Sequence, residues 1–242
     1  MKYLRLFQTE AEYTAYKDSE DFVTPNVSYT IDSIKTFYNP VTCSTSNYVM
    51  VDLGLPSGLK WADRNVGADS PEDAGLYFAW GETTTKSTYS WSTYTYCKGS
   101  STTLTKYNCS SGYGTLDNKT TLELSDDVAA INWGGAWRMP TDAEITELRE
   151  QCTWTWITYN GVNGYKVTSK SNGNSIFLPA AGLRFYGDPL SDDGSHGYYW
   201  SSTSYSSTSR ARDLYFASSY VNSASYYNRS YGFSVRCLLS GR

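Results

Sequence analysis

Hydrophobic and polar positions in residues 198–238 form two interleaved sets. Trp200, Leu214, Phe216, Val221, Gly232, Phe233 and Val235 make an apolar skeleton. Between them stand Ser206, Ser207, Ser209, Arg210, Asp213, Tyr215, Ala217, Tyr220, Ser223, Ser225, Tyr226, Tyr227 and Tyr231. From Asp213 to Val221 the sets alternate, which predicts a strand. Side chains on a strand repeat with period 2, so Leu214 and Phe216 should face a core and Asp213, Tyr215 and Ala217 should face away from it. From Asn222 to Ser230 no period is legible.

Upstream, residues 3–7 read as a strand and Thr9 with Glu12 as a capping box opening a helix over 10–17. Two β-prone runs flank Asp32-Ser33 and predict a hairpin, closed by Asn39-Pro40. Residues 1–45 thus read as a small N-terminal module and 46–242 as the main domain. Its expected elements begin with strands at 48–53 and 60–62, then a short helix starting at Ser70-Pro71 with acids in its first turn. Residues 83–121 form a long surface excursion anchored by Tyr89, Trp91, Tyr94, Tyr96 and Tyr107. A short helix is expected over 125–131. The strongest helix signal covers 141–151, where Thr141 and Glu144 make a capping box ahead of Ile145 and Leu148. Strands at 154–159, 165–168 and 175–178 follow, joined by Asn160-Gly161 and Asn172-Gly173 turns. Residues 183–197 read as a Gly/Asp/Ser loop. The sum is an α+β domain of antiparallel sheets and short helices.

Composition narrows the function. The 242 residues are 40% hydrophobic and 16% aromatic, enough for a sizeable core, and only 18% charged. The net charge of −4, without a basic cluster, argues against nucleic acid or an anionic membrane as partner. No apolar run reaches the roughly 18 residues of a membrane span. The N-terminal residues do not read as a signal peptide, so synthesis in a bacterial cytoplasm is expected. Five cysteines, at 43, 97, 109, 152 and 237, lack C-x-x-C spacing and read as idle thiols, with Cys97 and Cys109 the nearest pair should they oxidise. His196, the only histidine, falls in the loop and reads as exposed. Carboxylates at 69, 72 and 73 and at 123, 126 and 127 are explained by helix starts rather than by a metal. Trp133-Gly-Gly-Ala-Trp137 reads as core aromatics beside close backbone. No catalytic residue, metal or cofactor is indicated. The Tyr and Ser of the tail are instead the composition of binding surfaces, large rigid rings among adaptable hydroxyls.

Several segments, GLKWADRNVGADSPEDAGLYFAWGE (58–82), NWGGAWRMPTDAEITEL (132–148), NSIFLPAAGLR (174–184), GYYWSS (197–202) and YGFSVRC (231–237), resemble the domain family named after major paralogous proteins of Fibrobacter. That resemblance implies a C-type-lectin-like fold related to formylglycine-generating enzymes. The cysteine pair of those enzymes has no counterpart in 198–216, so oxidase chemistry is not implied, and Trp200-Ser201-Ser202 departs from the calcium-binding motif of sugar-binding lectins. The tail more narrowly resembles the variable proteins of diversity-generating retroelements. This implies that the thirteen polar and tyrosine positions above, including those in 222–230, are exchangeable ligand contacts. Residues 1–40 resemble a segment that opens Bacteroides phage and prophage structural proteins. The implied protein is a receptor-binding adhesin at a phage tail tip. It would attach to a particle protein through its N-terminal module, contact a bacterial surface protein or glycan, and act as a homo-oligomer such as a trimer.

Overall fold

The computed structural model describes residues 3–6, 27–31, 34–39, 49–186, 190–206 and 209–239. The chain divides into two compact units, Met1–Tyr48 and Val49–Arg242. In the first, strands β1 (Tyr3–Leu6), β2 (Val27–Ile31) and β3 (Ile34–Asn39) form an antiparallel sheet in the order β1-β3-β2. Ile31 pairs with Ile34, so β2 and β3 are the expected hairpin. The helix expected over 10–17 lies outside the described residues, as do Cys43 and Ser207.

The second unit is predominantly antiparallel β with two short α-helices, an α+β arrangement. One sheet joins β4 (Met50–Asp52), β5 (Lys60–Asn65), β15 (Arg236–Leu239) and β6 (Trp137–Arg138). A second joins β7 (Cys152–Tyr159), β8 (Val162–Ser169) and β9 (Ser175–Pro179). The third runs in the order β11 (Ser191–Asp193), β10 (Ala181–Leu183), β12 (His196–Ser204), β13 (Arg210–Ala217) and β14 (Tyr220–Asn228). The β7–β8 turn forms where expected: Asn160 and Gly161 take φ of 48° and 85°, the left-handed pair that matches strand twist in a two-residue hairpin.

Helix α1 spans Val128–Trp133 and α2 spans Asp142–Gln151. The α2 capping box is present as expected: Thr141 accepts from the Glu144 amide, and the Glu144 carboxylate accepts from the Thr141 amide. Helix α1 starts later than the expected 125–131: Asp127 caps it, accepting from the amides of Ala129 and Ala130, and its second oxygen accepts from Met139. No helix forms at Ser70-Pro71. Asp73 turns back to accept from the amides of Asp69 and Ser70, and Gly75 reverses the chain two residues later. A short polar side chain thus satisfies the turn that a helix would otherwise have filled.

Trp80, Trp200, Phe233 and Val235 sit in one apolar cluster with Val128, Ala129 and Met139. Leu214, Phe216 and Tyr199 sit in another with Ile145, Leu148, Tyr165 and Val167. The sheet containing β12 and β13 therefore has a core on both faces over part of its width. The 83–121 excursion packs on its own aromatics. Tyr89, Tyr94 and Tyr107 are buried, and the Tyr107 hydroxyl donates to Asp126, which Lys106 also contacts.

Gly197 lies opposite Phe216 in the β12–β13 register, and the phenyl ring covers it. A Cβ at Gly197 would stand 2.0 Å from Phe216 Cζ. Phe216 is fully buried against Tyr165 and Tyr199, so it has nowhere to retreat. Gly197→Ala should cost about 2–3 kcal/mol through overpacking, read as a lowered denaturation midpoint.

Candidate functional site

The register across β12, β13 and β14 decides which tail residues share a face, because antiparallel partners lie side by side. Tyr198 pairs with Tyr215, His196 with Ala217, and Trp200 with Asp213. Asp213 pairs in turn with Ser225, Ala211 with Tyr227, and Ala217 with Tyr220. These residues make one face. Leu214, Phe216 and Val221 fall on the other, as the alternation predicts.

The first face carries a continuous run of rings. Tyr198 and Tyr215 have centroids 4.9 Å apart, Tyr215 and Tyr220 5.4 Å, and Tyr198 and Tyr227 5.4 Å. His196 stacks parallel on Tyr215 at 5.7 Å. Tyr227 continues to Tyr231, which meets Phe185 and Tyr186. Tyr220 and Tyr186 are the exposed rings, at 46% and 64%. Tyr198 is buried beneath, and its hydroxyl donates to Asp192 at 2.8 Å. Burial raises the phenol pKa of Tyr198, Tyr215 and Tyr227, so all three stay neutral donors at physiological pH.

Other expected contacts fall elsewhere. Tyr226 and Arg210 belong to the opposite side of the sheet. There Tyr226 stacks on Tyr205 at 4.0 Å, Arg210 lies over Tyr226, and Arg212 lies over Tyr205. Ser223 is buried, its hydroxyl 3.4 Å from Thr146 of α2. The cause is a bulge: β14 has two residues, Ser223 and Ala224, where β13 has only Leu214. Asn222 then accepts from the Ala224 amide and Arg212 donates to the Ala224 carbonyl, closing the backbone groups the bulge frees. Ser209 and Ser225 are also buried, whereas Ser206 is exposed.

Asp213 departs furthest from expectation. It alternates as predicted, yet it is completely buried, because its face is already core at that point, beside Trp200 and Ala211. Neither carboxylate oxygen has a hydrogen-bond partner. Burial pushes its carboxyl well above the usual range. The nearby Asp142 charge adds to the shift, and Arg212 tempers it.

His196, Tyr198, Tyr186, Phe185 and Asp192 join the ring face although 183–197 reads as a loop. His196 begins β12 and is half-buried rather than an exposed loop residue. The run HGYYW before Ser201 was the legible signal, a strand start masked by the Gly, Ser and Asp ahead of it.

Two clefts are lined by residues other than these rings. One of about 330 Å³ is lined by Ile157, Tyr159, Lys166 and Phe177, and one of about 280 Å³ by Glu72, Asp73, Asn163 and Asp193. Among the described residues no group of three or more His, Cys, Asp or Glu is placed to hold a metal, and Cys97, Cys109, Cys152 and Cys237 are free thiols. The ring face is a broad aromatic surface bearing hydroxyls.

No curated protein and no solved structure matches the chain. A family described as Domain of unknown function (DUF8237) matches residues 162–238, the segment that runs from β8 through the ring face to β15.

Proposed function

We propose that this chain is a receptor-binding adhesin whose C-terminal region is exchanged by a diversity-generating retroelement on a C-type-lectin-like scaffold. It acts at a phage tail tip, with the N-terminal module held by a particle protein, and binds a bacterial surface ligand as an oligomer. Oligomerisation would turn weak single contacts into avidity. The observation that carries this reading is the division of labour along β12–β14. Apolar residues fill two cores, while tyrosines of the same strands assemble one aromatic face with exposed Tyr220 at its edge.

The contacts on that face are Tyr215, Ala217, Tyr220, Tyr227 and Tyr231, joined by His196 and Tyr186. Ser206, Arg210 and Tyr226 form a separate rim. Asp213, Ser209, Ser223 and Ser225 tune the support beneath, without touching a ligand directly.

The neighbouring DNA tests the exchange. A near-copy of the codons for 198–238, differing where the copy has adenine and lying beside a reverse-transcriptase gene, is expected. A genome without such a copy sinks diversification. Binding is tested separately by capture of host cells. Tyr220→Ala removes an exposed ring, so stability should stay within about 0.5 kcal/mol while capture falls at least severalfold. Equal capture by the variant and the unaltered chain would refute the face.

A further inference from the structure

The tyrosine clusters of this domain differ in one respect. Lys86 sits over Tyr89 and Tyr94, and Lys106 over Tyr96 and Tyr107. Arg184 sits over Tyr77, Arg210 over Tyr226 and Arg212 over Tyr205. Each of these clusters carries a cation supplied by the chain itself, within 6 Å of a ring centroid, where the negative ring face attracts positive charge. Among the described residues no lysine or arginine covers Tyr198, Tyr215, Tyr220 or Tyr227, although these rings form the longest aromatic run.

The charge beside that run is negative. Asp192 accepts from Tyr198 at the edge of the sheet. An aromatic surface with a carboxylate at its edge, and no cation of its own, is complementary to a guanidinium or ammonium group. The surface is broad, and neither cleft named above is lined by these rings. It therefore suits a side chain projecting from a protein rather than a small molecule enclosed in a pocket.

We propose that the Tyr215–Tyr220 face takes an arginine or lysine side chain of a protein ligand, with the cation between the rings and Asp192. This rests on the binding reading above and names its chemistry. Host identity is not needed to test it. The full chain is titrated with N-acetylargininamide while tyrosine ring resonances are followed by NMR. Saturable shifts of the Tyr215 and Tyr220 rings at roughly tens to hundreds of millimolar are expected, the strength of an isolated cation–π contact of about 1–2 kcal/mol. Methyl α-glucoside, a neutral sugar, should give none, and glucosamine, an amino-sugar cation, only weaker ones. Asp192→Asn should weaken N-acetylargininamide by about two- to fivefold, and Tyr220→Ala should abolish the Tyr215 shift. Absent shifts, equal response to the neutral sugar, or tighter binding of glucosamine would each overturn the proposal. A chain that captures host cells yet fails this titration loses the cation assignment alone and keeps the binding reading.

Discussion

Asp213→Asn should make this protein more stable at pH 8 than the unaltered chain, and the advantage should shrink as the pH falls towards 4. Asp213 is fully buried beside Trp200 and Ala211, and both its oxygens lack partners. Burial therefore holds its carboxyl well above the usual range. In the unfolded chain the group ionises near pH 3.9. Between that value and the raised folded value the native state binds more protons than the unfolded one. Stability must then fall with rising pH, by about 1.4 kcal/mol per unit. Asn has the same shape and does not titrate, so it removes the slope. Some cost remains, since the Asn side chain would also need partners, and a net gain within the range of one buried unpartnered polar group, about 1–3 kcal/mol, is expected at pH 8. Urea midpoints at pH 4, 6 and 8 check it. Parallel pH profiles for the two chains would mean that the carboxylate finds a partner in solution.

A residue this unfavourable for the fold is informative about function. Burial of an unpaired charge is among the larger single-residue penalties known, and such violations concentrate where something other than stability chooses the residue. Exchange at position 213, as proposed above, is one such chooser. The surrounding frame tolerates the result because it is anchored elsewhere, in the stacked Trp200 and Phe233 rings 4.0 Å apart and in Phe216 against Tyr165 and Tyr199.

How much of this was legible in the sequence depends on the range of each interaction. The α2 capping box spans four residues and the Asn160-Gly161 turn two, so both could be read directly and both formed. The split between Leu214/Phe216 and Asp213/Tyr215/Ala217 follows from strand period alone, and it formed too. Exposure did not follow. A strand period says which residues share a face, not whether another layer covers that face. Asp213 and Tyr215 lie two residues apart on the same side. One meets Trp200 and the core, and the other meets His196 near the sheet surface. The bulge at Ser223-Ala224 was equally invisible, since it depends on pairing with Leu214 and on Arg212 reaching the Ala224 carbonyl. Neighbouring strand residues face opposite sides in any case, and the bulge decides that Tyr227 rather than Tyr226 joins the ring face. The failed helix at Ser70 shows the reverse case, a local signal outcompeted by another local one, the Asp73 carboxylate.

Arg229 is the residue through which the excursion and strands β13 and β14 hold each other. It is 1% exposed, and its guanidinium lies 4.7 Å from the Trp80 ring centre. It donates to the Tyr107 carbonyl at 2.9 Å and to the Arg210 carbonyl at 3.0 Å, while its own carbonyl accepts from the Trp80 amide. One side chain at the end of β14 thus fixes the start of β13, the Trp80 core and the 83–121 excursion. Hydrogen bonds from a charged donor contribute about 1.5–3 kcal/mol each, and the two carbonyls would be left buried without partners. Arg229→Met keeps much of the apolar contact with Trp80 and removes both bonds, so a loss of about 3–5 kcal/mol is expected in the denaturation midpoint. Arg229→Lys has one compact ammonium in place of a planar fork and should recover only part of it. Arg212→Met provides the contrast. Its bond to the Ala224 carbonyl is exposed and its nearest carboxylate, Asp142, is 3.8 Å away, so a smaller loss of about 1–2 kcal/mol is expected. Should Arg229→Met and Arg212→Met prove equally mild, the excursion must be held by its own aromatic cluster. The ring face would then depend on β12–β14 alone.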